Sequence, residues 1–506
     1  MPARRPPYLR IPSIASWPLY PVVLAISWVL ATVVDSGVRL HATLRVLIAV
    51  PLLAAVLLLA SIAILRHTHR AGVLAAAVLV LLASRDFTRL GLAVVGIVAV
   101  AVAVLVLRRI RTRPLHLDQL TVAGNVLSVL LLATVIVQGI ANGALPAWVG
   151  DVSEQPPAVG AAAGSGQQDI YLILLDGYPR SDTVRDVLAG NNTAFLEQLE
   201  ARGFRIDADA HSGYQYTDLA VSSMLHGRHL VDIAELDYVI AGARLPALGR
   251  HVLNQAPMLE QIADRGYTLF ANAQAWDEPA IRRVHRFSEA SGLNEFERHV
   301  LLESLPGAVW QAVDPGVRQD LMRPWVDDAF AFVEVAAGEE LDGPRFVFAH
   351  VPSPHFPIVY TADGSPADPG FGTDHPNQVT SFTLAQTKEA YLGQVENLNR
   401  RLLALLDSRS IADDAIVIVM SDHGPEFGLD WENGAESDLR TRHATLFAAR
   451  APAGVFRPGQ DVTSILVRVL NSVVGAAIAE PSDRFFANAS SPKYATLTEI
   501  ADPWSD

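Results

Sequence analysis

Apolar residues are not spread evenly along this chain. Up to about residue 140 they run in long blocks of Ala, Val, Leu and Ile; beyond it they come in short runs separated by polar stretches. Five blocks stand out, at 17–35, 43–65, 71–84, 90–107 and 119–140. Most approach the ~20 residues that a helix needs to cross a bilayer. The third is short, and either extends through Arg85 and Phe87 or is covered by its neighbours. A cleaved signal peptide fits the first block poorly, because four more follow it. Lys and Arg in the connections set the orientation. The N-terminal tail carries Arg4, Arg5 and Arg10, the second connection carries Arg66 and Arg70, and the fourth carries Arg108, Arg109, Arg111 and Arg113. The alternate connections hold Arg39 and Arg45, then Arg85 and Arg89, together with acids. The tail side is therefore expected to be cytoplasmic. Five crossings then place everything after Ile140 outside, whereas four would place it inside, so the third block decides.

After a transmembrane domain over 1–140, residues 141–167 are rich in Ala, Gly, Pro and Ser and predict a linker. A compact domain is expected over 168–506. Its short β-rich runs are Ile170–Leu175, Tyr267–Ala271, Phe346–Ala349, Ala415–Met420 and Ala444–Ala448. Helical stretches lie between them, such as Thr193–Arg202, Pro257–Arg265 and Leu384–Ser408. Alternation of this kind predicts an α/β domain with a largely parallel central sheet, following an α-helical transmembrane bundle. There is no internal repeat.

Composition narrows the chemistry. Half of the 506 residues are hydrophobic, and the net charge of −14 falls mainly on the second part. An acidic domain argues against nucleic acid as a partner, since phosphate backbones select Lys and Arg. There is no cysteine, which excludes disulfides, thiolate metal ligands and a cysteine nucleophile.

The polar residues of interest follow strands, where an open α/β sheet places its ligands. Ile170–Leu175 runs into Asp176-Gly177, Ala415–Met420 into Ser421-Asp422-His423-Gly424, and Phe346–Ala349 into His350 and Pro352-Ser-Pro-His355-Phe-Pro357; His443 precedes Ala444–Ala448. Carboxylates and imidazoles together suit Zn²⁺ or Mn²⁺ better than Ca²⁺ or Mg²⁺. Thr217 stands where a helix over Leu219–Leu225 would begin, and its hydroxyl would meet unpaired amides that favour an alkoxide and a phosphate. Each residue also has a plain structural reading. Thr217, Asp176 and Asp422 could serve as caps, and His350 and His443 as satisfied core histidines. Arg180 could fork onto a phosphate but reads better as a solvated surface side chain, and Glu426 and Asp430 read as residues that only flank the site.

The order Asp176-Gly, Thr217-x-x-Ala-x-x-Ser-Met-Leu-x-Gly, Pro-His355-Phe-Pro and Ser-Asp422-His423-Gly resembles the alkaline phosphatase/sulfatase superfamily. Within it, the pattern is most similar to the membrane-anchored lipoteichoic acid synthase and phosphoethanolamine transferase branch, over roughly 169–450. The resemblance implies that Asp176, Thr217, Asp422 and His423 bind one catalytic divalent metal, Mn²⁺ or Zn²⁺, and that Thr217 attacks the phosphoryl donor. His355 would contact the phosphate or protonate the leaving group, and His443 is a looser match to a late histidine of the family. That branch often carries Glu where Asp176 stands. Asp176-Gly-Tyr-Pro-Arg180 also resembles the two-metal phosphodiesterases, but His350 to Pro357 offers none of the acid that they need, although His355 and His443 could hold a second ion. Sulfatase chemistry needs Cys or Ser in a Cys/Ser-x-Pro-x-Arg setting, which is missing near Thr217.

The implied reaction moves a phosphoryl-linked head group from a phospholipid to an envelope glycan or lipid, at the plasma (inner) membrane. A membrane-anchored phosphodiesterase or phosphatase, with water as acceptor, stays open. A silent scaffold would lack a ligand, and every ligand position is filled.

Overall fold

The structure, a computed structural model, describes residues 17–36, 38, 40–83, 117–141, 155–160, 167–233, 252, 253, 255–275, 280–473, 475–488 and 497–505. The fourth apolar block and most of the expected linker lie outside these residues. Two compact units emerge: Met1–Gly150 together with Phe296–Ala312, and Asp151–Glu295 together with Val313–Asp506.

In the first unit the described apolar blocks fold as helices α1 (Tyr20–Ser36), α2 (Leu40–Leu65), α3 (Thr68–Ala83) and α4 (Leu117–Ala141). Within α2 and α4, the stretches Ala42–Leu65 and Asp118–Ala141 are long and apolar enough to cross a membrane, while α1 and α3 are shorter. At 1.5 Å per residue, the 16 residues of α3 rise about 24 Å. The few polar side chains join helix ends. From α4, Asn125 Oδ1 accepts the Leu19 and Tyr20 amides at 3.0 and 2.9 Å, while its Nδ2 donates to the Trp17 carbonyl. His69 Nδ1 lies 2.8 Å from Thr121 Oγ1, tying the start of α3 to that of α4. The starts of α1, α3 and α4 therefore share one side.

The second unit is built on a seven-stranded sheet: β1 (Ile170–Leu175), β2 (Arg205–Ile206), β3 (Thr268–Asn272), β4 (Arg286–Ser288), β5 (Arg345–Val351), β6 (Ile416–Met420) and β7 (Phe447–Arg450), in the order β2-β7-β6-β1-β5-β3-β4. β6, β1, β5, β3 and β4 are parallel, and β7 runs antiparallel to β6 and to β2. Every residue of β1 is buried, as in a strand covered on both faces. Its side chains alternate between two cores. Ile170, Leu172 and Leu174 join α5 (Thr217–His226), α6 (Pro257–Ala263) and a later helix, Ile465–Val473, whereas Tyr171, Ile173 and Leu175 join the helices Val317–Gly338 and Leu384–Asp407. The long helix Leu384–Asp407 begins in a capping box in which Thr383 and Gln386 bond each other's amides. One expectation shifts: the run Ala444–Ala448 is strand only from Phe447, because His443 ends a short helix, Leu439–His443.

Candidate active site

Register delivers the acidic residues side by side. β1 pairs in parallel with β6, Leu174 against Met420, so Asp176 and Asp422 leave the sheet next to each other. The chain must turn sharply there; Gly177 takes φ +73°, in the left-handed region, and its amide donates to Asp422 Oδ1 at 3.2 Å. On the other flank β5 sets His350 against Leu174, and His350 Nε2 lies 3.2 Å from Asp176 Oδ2. Thr217 is the first residue of α5. Tyr216, the residue before it, makes no side-chain cap, and the helix ends at Gly227 with φ +64°. Leading amides without a capping oxygen, with the helix dipole behind them, leave a place for negative charge.

These elements bring four sequence candidates together. Ligand atoms of Asp176, Asp422 and His423, all buried, lie within 4.8 Å of one another. His423 Nε2 is 3.6 Å from Asp176 Oδ1, 3.3 Å from Asp422 Oδ2 and 3.1 Å from Thr217 Oγ1. His423 Nδ1 donates to the Gly424 carbonyl at 3.0 Å, which leaves the Nε2 lone pair facing the cluster. Asp176 Oδ1 and Asp422 Oδ2 are buried with no hydrogen bond of their own. Buried carboxylate oxygens are costly to leave unmatched, so these residues fit a divalent cation. Burial pushes the Asp176 carboxyl up, yet His355, His350 and His423 hold it well below the usual carboxylate range. Burial and Arg442 lower the pKa of His423. An ionised acid and a neutral imidazole are the forms that coordinate metal.

Beside this cluster lies a second group that the sequence did not disclose. Glu426, expected only to flank the site, is buried between two histidines: His355 Nε2 is 2.8 Å from Oε1, and His375 Nδ1 is 3.3 Å from Oε2. Burial disfavours the imidazolium of His355, but Glu426 and Asp176 outweigh it and push the pKa up to about 10. Glu426 itself is held well below the usual range, burial being overcome by His355 and His375. The His355 ring stands edge-on to His423 at 6.4 Å, and His375 packs on Trp431 at 4.1 Å, which in turn meets Tyr216 at 5.8 Å. No local motif marks His375, which reaches Glu426 only through the fold.

The remaining candidates separate. His443 lies outside the Asp176–Asp422–His423 group; its Nδ1 donates to the Ser212 carbonyl at 2.7 Å, and burial lowers its pKa to about 4. Arg180 is buried rather than solvated, forked onto Asp182 and packed 4.8 Å over Trp504. Asp430 caps its own turn through the amides of Glu432 and Asn433. Arg442, which carries no sequence signature, is buried and donates to the carbonyls of Gln215 and Gly424. It thus ties the segment before Thr217 to the one after His423.

The sulfatase family model matches residues 169–462, more than half of the chain. Among curated proteins none matches. Solved structures with similarity include the C-terminal periplasmic domain of EcEptC from Escherichia coli in complex with zinc (10% identity, 68% of this chain and 96% of that one, TM-score 0.43). Others are lipooligosaccharide phosphoethanolamine transferase A from Neisseria meningitidis (13%, 76% and 69%, TM-score 0.40) and the phosphonate monoester hydrolase of Agrobacterium radiobacter (12%, 65% and 82%, TM-score 0.41). With Asp176 and Asp422-His423 at the ends of adjacent parallel strands, and the family match spanning both, this chain belongs to the sulfatase family of metal-dependent phosphoryl- and sulfuryl-type enzymes.

Proposed function

We propose that this chain is a multi-pass membrane enzyme that transfers a phosphoryl-linked head group, of phosphoglycerol or phosphoethanolamine type, from a phospholipid to an envelope glycan or lipid. The observation that carries this reading is the meeting of Thr217 Oγ1, at the start of α5, with His423 Nε2 beside Asp176 and Asp422. Asp176, Thr217, Asp422 and His423 would hold one divalent ion, Zn²⁺ or Mn²⁺, which when bound supplies positive charge and a lowered hydroxyl pKa. Thr217 Oγ attacks phosphorus as the bond from phosphorus to the diacylglycerol oxygen breaks, giving a phosphothreonine diester. His355, with Nε2–H held by Glu426 and Nδ1–H by the Phe356 carbonyl, places a buried imidazolium charge beside that chemistry, and the proton released by Thr217 ends on the departing diacylglycerol oxygen. An acceptor hydroxyl then attacks the same phosphorus, and Thr217 leaves as its hydroxyl, with the proton that the acceptor gives up. Helices long and apolar enough to span, the shared side of the α1, α3 and α4 starts, and the basic segments on that side support an outward-facing catalytic unit.

Water in place of the acceptor would make the chain a phosphodiesterase. Incubation with labelled phospholipid, with and without acceptor glycan, separates the two. Transfer predicts label on the glycan and diacylglycerol release that depends on it. Release at full rate without acceptor contradicts transfer.

A further inference from the structure

The catalytic sequence sends one segment into the first unit. Residues Phe296–Ala312 group with the apolar helices rather than with the sheet. They make up all but the first and last residues of a helical hairpin, Glu295–Leu302 and Leu305–Val313. The turn is tight: Ser304 Oγ donates to the Leu301 carbonyl, and the Gly307 amide donates back to Ser304 Oγ. The first helix is seated against the end of α1 and the start of α2. Phe296 is buried among Val29, Val33, Val38 and Val46, residues flanking the α1–α2 turn. Glu297, also buried, pairs with Arg45 at 2.6 Å.

The second helix has a different outer face. Pro306, Val309, Trp310 and Val313 are exposed, at the i, i+3, i+4, i+7 spacing of one helical stripe. Val309 is 52% exposed, Trp310 41% and Val313 80%, and Leu305–Val313 contains no charged residue. Nine residues cannot cross a bilayer. A short helix with an apolar stripe and one Trp is suited to lie in a membrane interface, where the indole places its ring among chains and its N–H among head groups. The hairpin's seat beside the α1–α2 turn puts it at that depth, because α2 enters the bilayer just after this turn.

We propose that Leu305–Val313 is an interfacial helix whose Pro306–Val309–Trp310–Val313 stripe lies in the outer leaflet of the same membrane that α2 and α4 cross. This rests on the membrane reading above. The hairpin thereby ties the catalytic sequence to the lipid surface at a second point, besides the chain connection after α4. The absence of cysteine makes the test direct. Full-length Val309→Cys, Trp310→Cys and Val313→Cys, each spin-labelled in nanodiscs, are compared with Val56→Cys in α2 and exposed Ser410→Cys by collision with oxygen and with a water-soluble nickel chelate. The proposal expects all three hairpin labels to favour oxygen, at a depth shallower than position 56. Nickel accessibility equal to that at 410 would place the stripe in water and overturn it. Shielding from both would mean that protein, such as a second copy, covers the stripe, and overturns it equally. If position 56 also meets nickel freely, the membrane reading itself fails; if only the hairpin labels do, that reading stands and the interfacial helix does not.

Discussion

Thr217, Glu426 and His443 occupy buried or nearly buried positions with three different consequences. Thr217→Ala removes the proposed nucleophile but none of the carboxylates, so turnover should fall by roughly three orders of magnitude or more while metal content, measured by atomic emission, stays largely intact. Glu426→Gln removes the charge that keeps His355 protonated. The imidazolium form is lost as pH rises through its pKa, so removing the carboxylate lowers that pKa, and the alkaline limb of the pH–rate profile should move to lower pH. Loss of such a supporting partner costs about 10–100-fold in rate. His443 works in the opposite direction. Its folded pKa of about 4 lies below the 6.5 of a free imidazole. Its stabilising contribution is therefore complete above pH 6.5 and is lost as pH falls through about 4, roughly 3 kcal/mol in all. In chelator-treated protein, His443→Gln should flatten the fall of melting temperature between those values. The positions of Asp176 and Asp422-His423 were legible because an apolar strand run ends immediately before Asp176 and one residue before Asp422. His375 and Arg442 were not, since Glu426 meets His375 across 51 positions and Arg442 reaches Gln215 across 227, distances that only the fold closes.

Elements were easier to read than contacts. The run Ile170–Leu175 coincides with β1, and the predicted helix Leu384–Ser408 with Leu384–Asp407, because long periodic or fully apolar stretches override local ambiguity. Strand direction was not legible for β7: antiparallel pairing to β6 depends on the helix Leu439–His443 that reverses the chain before it. The hairpin at 295–313 has the composition of any short amphipathic pair, and nothing local says that it leaves the sheet domain. Leu172 is fully buried in the central strand, and Leu172→Ala should cost about 2–5 kcal/mol, read as a lowered denaturant midpoint for the catalytic unit. In the first unit, Asn125→Ala removes the cap on α1 and should cost about 1 kcal/mol, seen by thermal unfolding in detergent. A change at Asn125 that leaves that melting temperature untouched would show the α4-to-α1 clamp to be dispensable.

At the scale of the molecule, a sulfatase-family site and an apolar helical unit are joined in one chain. Under the proposed head-group transfer, the helical unit would hold the enzyme at the membrane that supplies its lipid donor, and Thr217 would be the nucleophile that takes the head group from it. Chelation should remove activity, with Zn²⁺ or Mn²⁺ restoring it. The most direct measurement is mass spectrometry of the Thr217 peptide after brief incubation of metal-loaded protein with phospholipid and no acceptor. The account predicts a head-group phosphate adduct on Thr217, lost on adding acceptor and absent from Thr217→Ala. An unmodified Thr217 during active turnover, or full activity in Thr217→Ala, would contradict it.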